Sequence, residues 1–363
     1  MPATIAYYIT AHGYGHGARS CDILTALHHA APNSRIIVKT DLPLSFLHHR
    51  LPAAIEIQNG AFDTGLVQQD SVRSDIDASL EAIGRLYNQE DQLIEQESGY
   101  MAAEHVDVVV ADIPAIPLAA AQRLGIPNVA TGNFGWDWIY EEFAQENPRW
   151  QPFVERIRAA YRRTDLLLRQ PFAEPMSAFP ERIDLPLLAR AGVNRRDLLA
   201  ELTGAAPDKR WVLLSFTSLN MDHSALERLS KPADLELFTV EPLRWQNSTV
   251  HCISRSSASF ADVLASVDCV VTKPGFGILS ECIVNGKPII YTERIHFREY
   301  GVLVDGIRRY CRHAHISNAE LYAGRLEHAL KSLDSAPPPT ETMASGGAEL
   351  AARIILERAA PSR

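Results

Sequence analysis

The chain has 363 residues, too many for one ordinary core and enough for two α/β domains that each bury their own. Hydrophobic residues make up 46% and charged residues 22%, and no continuous apolar run is long enough to cross a bilayer, so no transmembrane segment is expected. A net charge of -9 argues against a nucleic-acid binder, because phosphate backbones demand clustered Lys and Arg; a small anionic ligand needs only one local pocket.

The first residues run straight into Ile5 to Ile9 without the basic segment and longer apolar run of a secretory signal, so the expected location is cytoplasmic. Strand-like β-branched runs follow at Thr4 to Thr10, Arg35 to Thr40, Ala54 to Gln58, Val106 to Ala111 and Asn128 to Thr131, with helical pattern between them. The rhythm resumes at Trp211 to Phe216, Leu235 to Val240, Thr249 to Ile253, Cys269 to Thr272 and Pro288 to Tyr291. Such alternation predicts parallel sheets with crossover helices.

Between the halves, Pro171, Pro175, Pro180 and Pro186 break regular structure and mark a linker. The expected domains are 1–170 and 171–345. After Pro337-Pro338-Pro339, a last helix from about Gly347 to Arg358 is free to pack back on the first domain. The five cysteines, Cys21, Cys252, Cys269, Cys282 and Cys311, are scattered without a C-x-x-C spacing, so neither a disulfide framework nor a zinc site is expected.

The first strand ends in Ala11-His12-Gly13-Tyr14-Gly15-His16-Gly17-Ala18, followed by helical pattern. A glycine-rich loop at a strand's carboxyl end lets backbone amides and a helix N-terminus approach an anion or hydroxyl. His16, flanked by glycines and titrating near neutrality, is the candidate general base, with His12 as a second catalytic candidate; the alternative is a histidine that packs locally. The same loop fits a loose G-x-G-x-x-A fingerprint through Gly13, Gly15 and Ala18, with Asp41 placed for a ribose, which would make the chain an NAD(P)-dependent enzyme.

Lys273-Pro274-Gly275-Phe276-Gly277 follows a second strand and opens a helix carrying Ser280 and Glu281. Free amides there suit a diphosphate, and the Glu281 carboxylate suits two ribose hydroxyls; the alternative is an ordinary turn with a favourable helix-dipole charge. Arg294 to Tyr300 is expected to start a helix at the same sheet edge, with polar groups that grip the donor's sugar and phosphates.

Asp75-Ile76-Asp77 has a metal-binding D-x-D form, but Ser74 as N-cap and two acids in a first turn explain it locally, and no metal is expected. Asn133 to Tyr140 concentrates aromatics, among them Trp136, where a loop meets the ligand edge; this suits either a sugar ring or the anchoring of the next helix. Asp112, ending its strand, suits an acceptor hydroxyl or a helix cap.

With both loops in place the chain resembles the GT-B glycosyltransferases, particularly the lipid II-forming N-acetylglucosaminyltransferases and, more closely, the glycosyltransferase-like N-terminal region of plant L-arabinokinases. The resemblance rests on Tyr8 to His16, Asn133 to Tyr140, Lys273 to Glu281 and Phe297-Arg298-Glu299. It implies two Rossmann-like domains whose parallel sheets face a central cleft, His16 beside the acceptor and Glu281 on the ribose of UDP. Arg298 and Glu299 match the donor-sugar contacts with different identities, so sugar specificity does not carry over.

Ser215 to Leu219 replaces a glycine-rich loop, leaving Thr217 and Ser218 hydroxyls to face the diphosphate, while Ile253 joins the nucleotide side. The galactokinase-like half of the plant proteins has no counterpart here, so arabinose phosphorylation is not implied. The expected activity is metal-independent, inverting transfer of a sugar from a nucleotide-diphosphate co-substrate, UDP favoured, to a hydroxyl on a small molecule or glycoconjugate, with no permanently bound cofactor. Gly13, Gly15, Asp112, Asn133 and Trp136 form the expected acceptor side. A non-catalytic sugar-nucleotide-binding protein is the alternative from another class.

Overall fold

A computed structural model describes residues 2–69, 74–229, 234–246, 248–294 and 297–360. The chain divides into two compact units, one comprising Met1–Val67, Asp75–Leu188 and Ala344–Arg363, the other Gln68–Ser74 and Ala189–Met343.

The strands of the first half are β1 (Thr4–Ile9), β2 (Arg35–Thr40), β3 (Glu56–Asn59), the short pair β4 (Val67–Gln68) and β5 (Ser74–Asp75), β6 (Val108–Asp112), β7 (Asn128–Gly132), β8 (Leu166–Arg169) and β9 (Arg182–Asp184). All but β4 and β5 form one parallel sheet in the order β3-β2-β1-β6-β7-β8-β9. Its middle strands read as unbroken apolar runs, Ile5 to Ile9 and Val108 to Ala111, because a central parallel strand is covered on both faces. The chain winds outward from β1 one way through β2 and β3, then the other way through β6 to β9. That reversal puts a topological switch point between β1 and β6, where the following loops diverge and leave room for a ligand.

The second unit contains β10 (Arg210–Ser215), β11 (Leu235–Val240), β12 (His251–Ile253), β13 (Cys269–Thr272), β14 (Ile289–Tyr291) and β15 (His313–His315), parallel in the order β12-β11-β10-β13-β14-β15. Val212, Leu214, Val271, Ile290 and Ala314 from its strands pack with Leu321, Leu330 and Leu333 from its last helices in one core. Its switch point lies between β10 and β13, at the loops Phe216 to Leu219 and Lys273 to Gly275.

Besides the short pair β4 and β5, three strands lie outside the expected pattern. Leu166–Arg169 is an apolar run too short to separate from the preceding helix by periodicity. The edge strands Arg182–Asp184 and His313–His315 carry almost no apolar signal, since an edge needs little burial. Ser74 is not the cap of the next helix: it lies in β5, and the Asp75 carboxylate caps Ile76–Tyr87 by accepting from Ala78 N at 3.0 Å. The helix expected from Arg294 begins at Tyr300, and Ile295 and His296 lie outside the described residues.

The proline-rich segment before residue 188 belongs to the first unit, where β9 extends the sheet. There Leu187 N donates to Ala344 O at 2.9 Å and Gly347 N to Leu187 O at 3.1 Å, so both chain connections run side by side. Gly347 is required by that closeness, because a Cβ would lie 2.2 Å from Pro186 O. The last helix, Gly347–Ala359, packs against Tyr14–Ala30, the helix that follows β1, with Ala351 and Ile355 fully buried. Ile355→Ala should therefore cost the first unit about 2–5 kcal/mol in denaturant unfolding; a loss below about 0.5 kcal/mol would show that the helix is not part of its core.

Candidate active site

At the first switch point Gly13 is the N-cap of Tyr14–Ala30, in extended conformation and without a side-chain cap, and a Cβ there would meet nothing within 4 Å. No acidic side chain occupies the first turn. The helix therefore presents its opening amides and their positive dipole end uncapped by side chains.

His16, Arg19 and Ser20 fall at i, i+3 and i+4 on one face of this helix, and all three reach Asp112 at the end of β6. His16 Nδ1 lies 2.9 Å from Asp112 Oδ1. Arg19 grips the carboxylate with two donors, Nε to Oδ2 at 2.8 Å and Nη2 to Oδ1 at 2.6 Å, and Ser20 Oγ donates to Oδ2 at 2.8 Å. Arg19 Nη1 donates to Asn133 Oδ1 at 2.7 Å. Asp112 is 0% and His16 7% exposed. Burial alone would raise the Asp112 carboxyl, but the Arg19 charge and hydrogen bonds, with His16 adding to them, hold it well below the usual carboxylate range.

Arg19 Nη2 also stands 2.7 Å from His16 Nδ1. A neutral imidazole nitrogen either donates to the carboxylate or accepts from the guanidinium, never both. In the first tautomer Nε2 carries a lone pair and can take a proton; in the second it carries the hydrogen.

His12 makes different contacts. Its Nδ1 accepts from Leu66 N at 3.1 Å, so the neutral ring carries its proton on Nε2, and its edge meets Trp136 at 5.0 Å between centroids. Gly65, at φ +56, is the residue that lets this segment approach, since a Cβ would lie 2.3 Å from His12 Nδ1.

Trp136 is 1% exposed and stacks on Tyr140 at 5.4 Å, so it anchors its helix and presents no open face to a sugar. Its Nε1 donates to Asp63 Oδ2 at 2.9 Å, while Thr10 Oγ1 donates to Asp63 Oδ1 at 2.7 Å. Asp63 is half-buried, and burial pushes its carboxyl up to about 6, the Asp112 charge adding to the rise and the two donors opposing it. Arg19, Ser20 and Asp63 are the residues that sequence reasoning missed. The polar i, i+3, i+4 face aimed at a lone acid ending a valine strand was a readable signal for the first two; nothing local announced Asp63.

In the second unit, Gly275 repeats the arrangement of Gly13: an extended N-cap without a side-chain cap, opening Phe276–Val284 with no acid in its first turn. Thr272 Oγ1 donates to Ser215 O at 3.1 Å, tying β13 to β10 at the switch point. Lys273, Gly277 and Glu281 are half-buried here, Phe276 is buried, Thr217 is exposed and Ser218 half-buried. Ser280 is fully buried with its Oγ unsatisfied among the described residues, and Ile253 faces the core with its carbonyl accepting from Glu241 N. Arg298 is half-buried and Glu299 buried, both in the loop after β14. Asp41 follows β2 and is exposed.

Two measurements test this geometry. Asp112→Asn leaves the Arg19 guanidinium buried without its counter-charge and should cost about 3–5 kcal/mol at neutral pH. Because the folded Asp112 carboxyl is depressed, its contribution is present above the unfolded value of about 4 and is lost as the pH falls below it, so the gap between variant and wild type should narrow there. A pH-independent gap would contradict the ion pair. The Trp136 indole N–H resonance should titrate with a midpoint near 6 as Asp63 protonates, and Asp63→Asn should abolish that step.

No family model matches the chain. It is 28% identical over 358 residues to the L-arabinokinase of Arabidopsis thaliana, covering 98% of this chain and 34% of that protein's length. Among solved structures it resembles the kitacinnamycin glycotransferase (TM-score 0.62, 17% identity, 99% of this chain and 100% of that one). It also resembles a UDP-glucosyltransferase from Polygonum tinctorium (0.62, 14%, 99% of each) and UGT71G1 of Medicago truncatula complexed with UDP-glucose (0.61, 13%, 99% of each). Two parallel-sheet α/β units and likenesses that run the length of these chains give one architecture: the chain has the GT-B fold of the glycosyltransferases.

Proposed function

We propose that the chain is a glycosyltransferase that moves a sugar from a nucleotide-diphosphate donor, with UDP favoured, to a hydroxyl acceptor with inversion at the anomeric carbon. The observation that carries this reading is the buried His16–Asp112 contact on a glycine-capped helix at a switch point. Asp112 holds the ring so that Nε2 takes the acceptor proton, the acceptor oxygen attacks the anomeric carbon, and the diphosphate leaves with the sugar's former bonding electrons. The donor binds at the second unit's glycine turn, where the amides opening Phe276–Val284 receive the departing charge and Glu281 accepts from the ribose hydroxyls. Lys273, Thr217, Ser218, Arg298 and Glu299 line the donor side, and fixed dipoles do the work that a metal does in other transferases. The UDP-glucose complex of the Medicago truncatula relative supports the choice of donor.

One observation favours a second reading. The Asp112 carboxylate is already shared with Arg19 and Ser20, and Arg19 competes for the His16 nitrogen. A site so neutralised suits a protein that binds a sugar nucleotide without turning it over. Such a protein would show UDP binding and no product with any acceptor.

The transferase reading predicts that UDP and UDP-sugars raise the melting temperature while NAD and NADP do not. His16→Ala should lower transfer by about 10²–10⁴-fold with donor affinity unchanged, and Glu281→Ala should weaken UDP. Stabilisation by NAD(P) alone would instead favour the dinucleotide fingerprint of Gly13, Gly15 and Ala18.

A further inference from the structure

The loop leaving β14, whose polar groups the sequence assigns to the donor only collectively, holds a buried cation. The Arg294 side chain is 8% exposed, and its guanidinium carbon lies 3.4 Å from the centroid of the Phe297 ring. Its ion-pair partner is Glu299 at 3.9 Å, beyond hydrogen-bond reach. Among the described residues, none accepts a hydrogen bond from Arg294. Burial lowers its pKa to about 10, the Glu299 charge offsetting part of the fall, so the group stays a cation at neutral pH. A desolvated cation with unfilled donors burdens a fold unless an anion arrives to meet it.

The position of the loop says which anion. Strands β13 and β14 are parallel neighbours with Thr272 opposite Tyr291, and Thr292 N donates to Thr272 O at 3.1 Å. The segment carrying Arg294 and the turn Lys273 to Gly275 therefore leave the sheet side by side at its carboxyl edge. At that turn the helix Phe276–Val284 starts with no side-chain cap, and a Cβ on Gly275 would make only an ordinary contact, 3.8 Å from Ile278. Helix amides accommodate tetrahedral anions, and a planar guanidinium fork matches two phosphate oxygens at once.

We propose that Arg294 is a diphosphate ligand of the donor, its fork donating to phosphate oxygens while the amides opening Phe276–Val284 meet the rest. This rests on the donor reading and adds a residue to it. Phe297 covers one face of the guanidinium and leaves the edge N–H groups for the anion. The same cation that binds the donor also offsets charge on the leaving diphosphate.

Calorimetric titration of the full chain with UDP, UMP and uridine, and melting curves without ligand, test the assignment in Arg294→Met and Arg294→Lys. Arg294→Met should bind UDP about tenfold more weakly or worse, the size of one charge-assisted hydrogen bond. Uridine affinity should be unchanged, and the unliganded variant should melt at or above the wild-type temperature because a desolvated charge is gone. Should Arg294→Met not fold, Arg294→Lys keeps the charge without the fork and should still lose UDP affinity while retaining uridine. If either variant bound UDP as wild type does while Glu281→Ala weakened it, Arg294 would be a packing residue and the donor reading would stand. If wild type bound no UDP, both would fall.

Discussion

The first unit depends on one buried carboxylate. Asp112 ends a strand of valines at a switch point, and it would be intolerable there without the Arg19 guanidinium, the Ser20 hydroxyl and the His16 ring that converge on it. Those three partners come from a single helical face, so the carboxylate fixes how the helix Tyr14–Ala30 sits against the sheet. It also fixes where the imidazole points. Stability and chemistry are thus coupled at one residue: whatever weakens the ion pair loosens the candidate base.

The second unit uses the same backbone device with different side chains around it. Each sheet reverses direction, each reversal is followed by a glycine-capped helix, and each helix start lacks a side-chain cap. In the first unit the surrounding side chains include His16, Arg19 and Ser20 gathered on Asp112. In the second the loops beside the helix start carry Lys273 and Arg294.

Much of this was legible in the sequence. Ten strands could be placed, eight of them interior parallel strands that favour continuous β-branched runs, and Gly13 and Gly275 announced helix starts that no side chain caps. The edge strands Arg182–Asp184 and His313–His315 were hidden because an edge carries little apolar signal. At the site, His16 and Asp112 were each visible as groups at a strand's carboxyl end, but their contact across 96 residues of sequence is a product of β1 pairing with β6. Trp136 illustrates the limit of composition: an aromatic cluster reads equally as a sugar platform or an anchor, and only burial decides for the anchor. Asp63 was invisible because its meaning comes from Thr10 and Trp136, which reach it from two other segments.

The account turns on which nitrogen of His16 holds the proton. Nitrogen-15 NMR of the imidazole at neutral pH measures this directly. A protonated Nδ1 directed at Asp112 and a bare Nε2 is the result the transferase account predicts; a bare Nδ1 accepting from Arg19, with the hydrogen on Nε2, would contradict it.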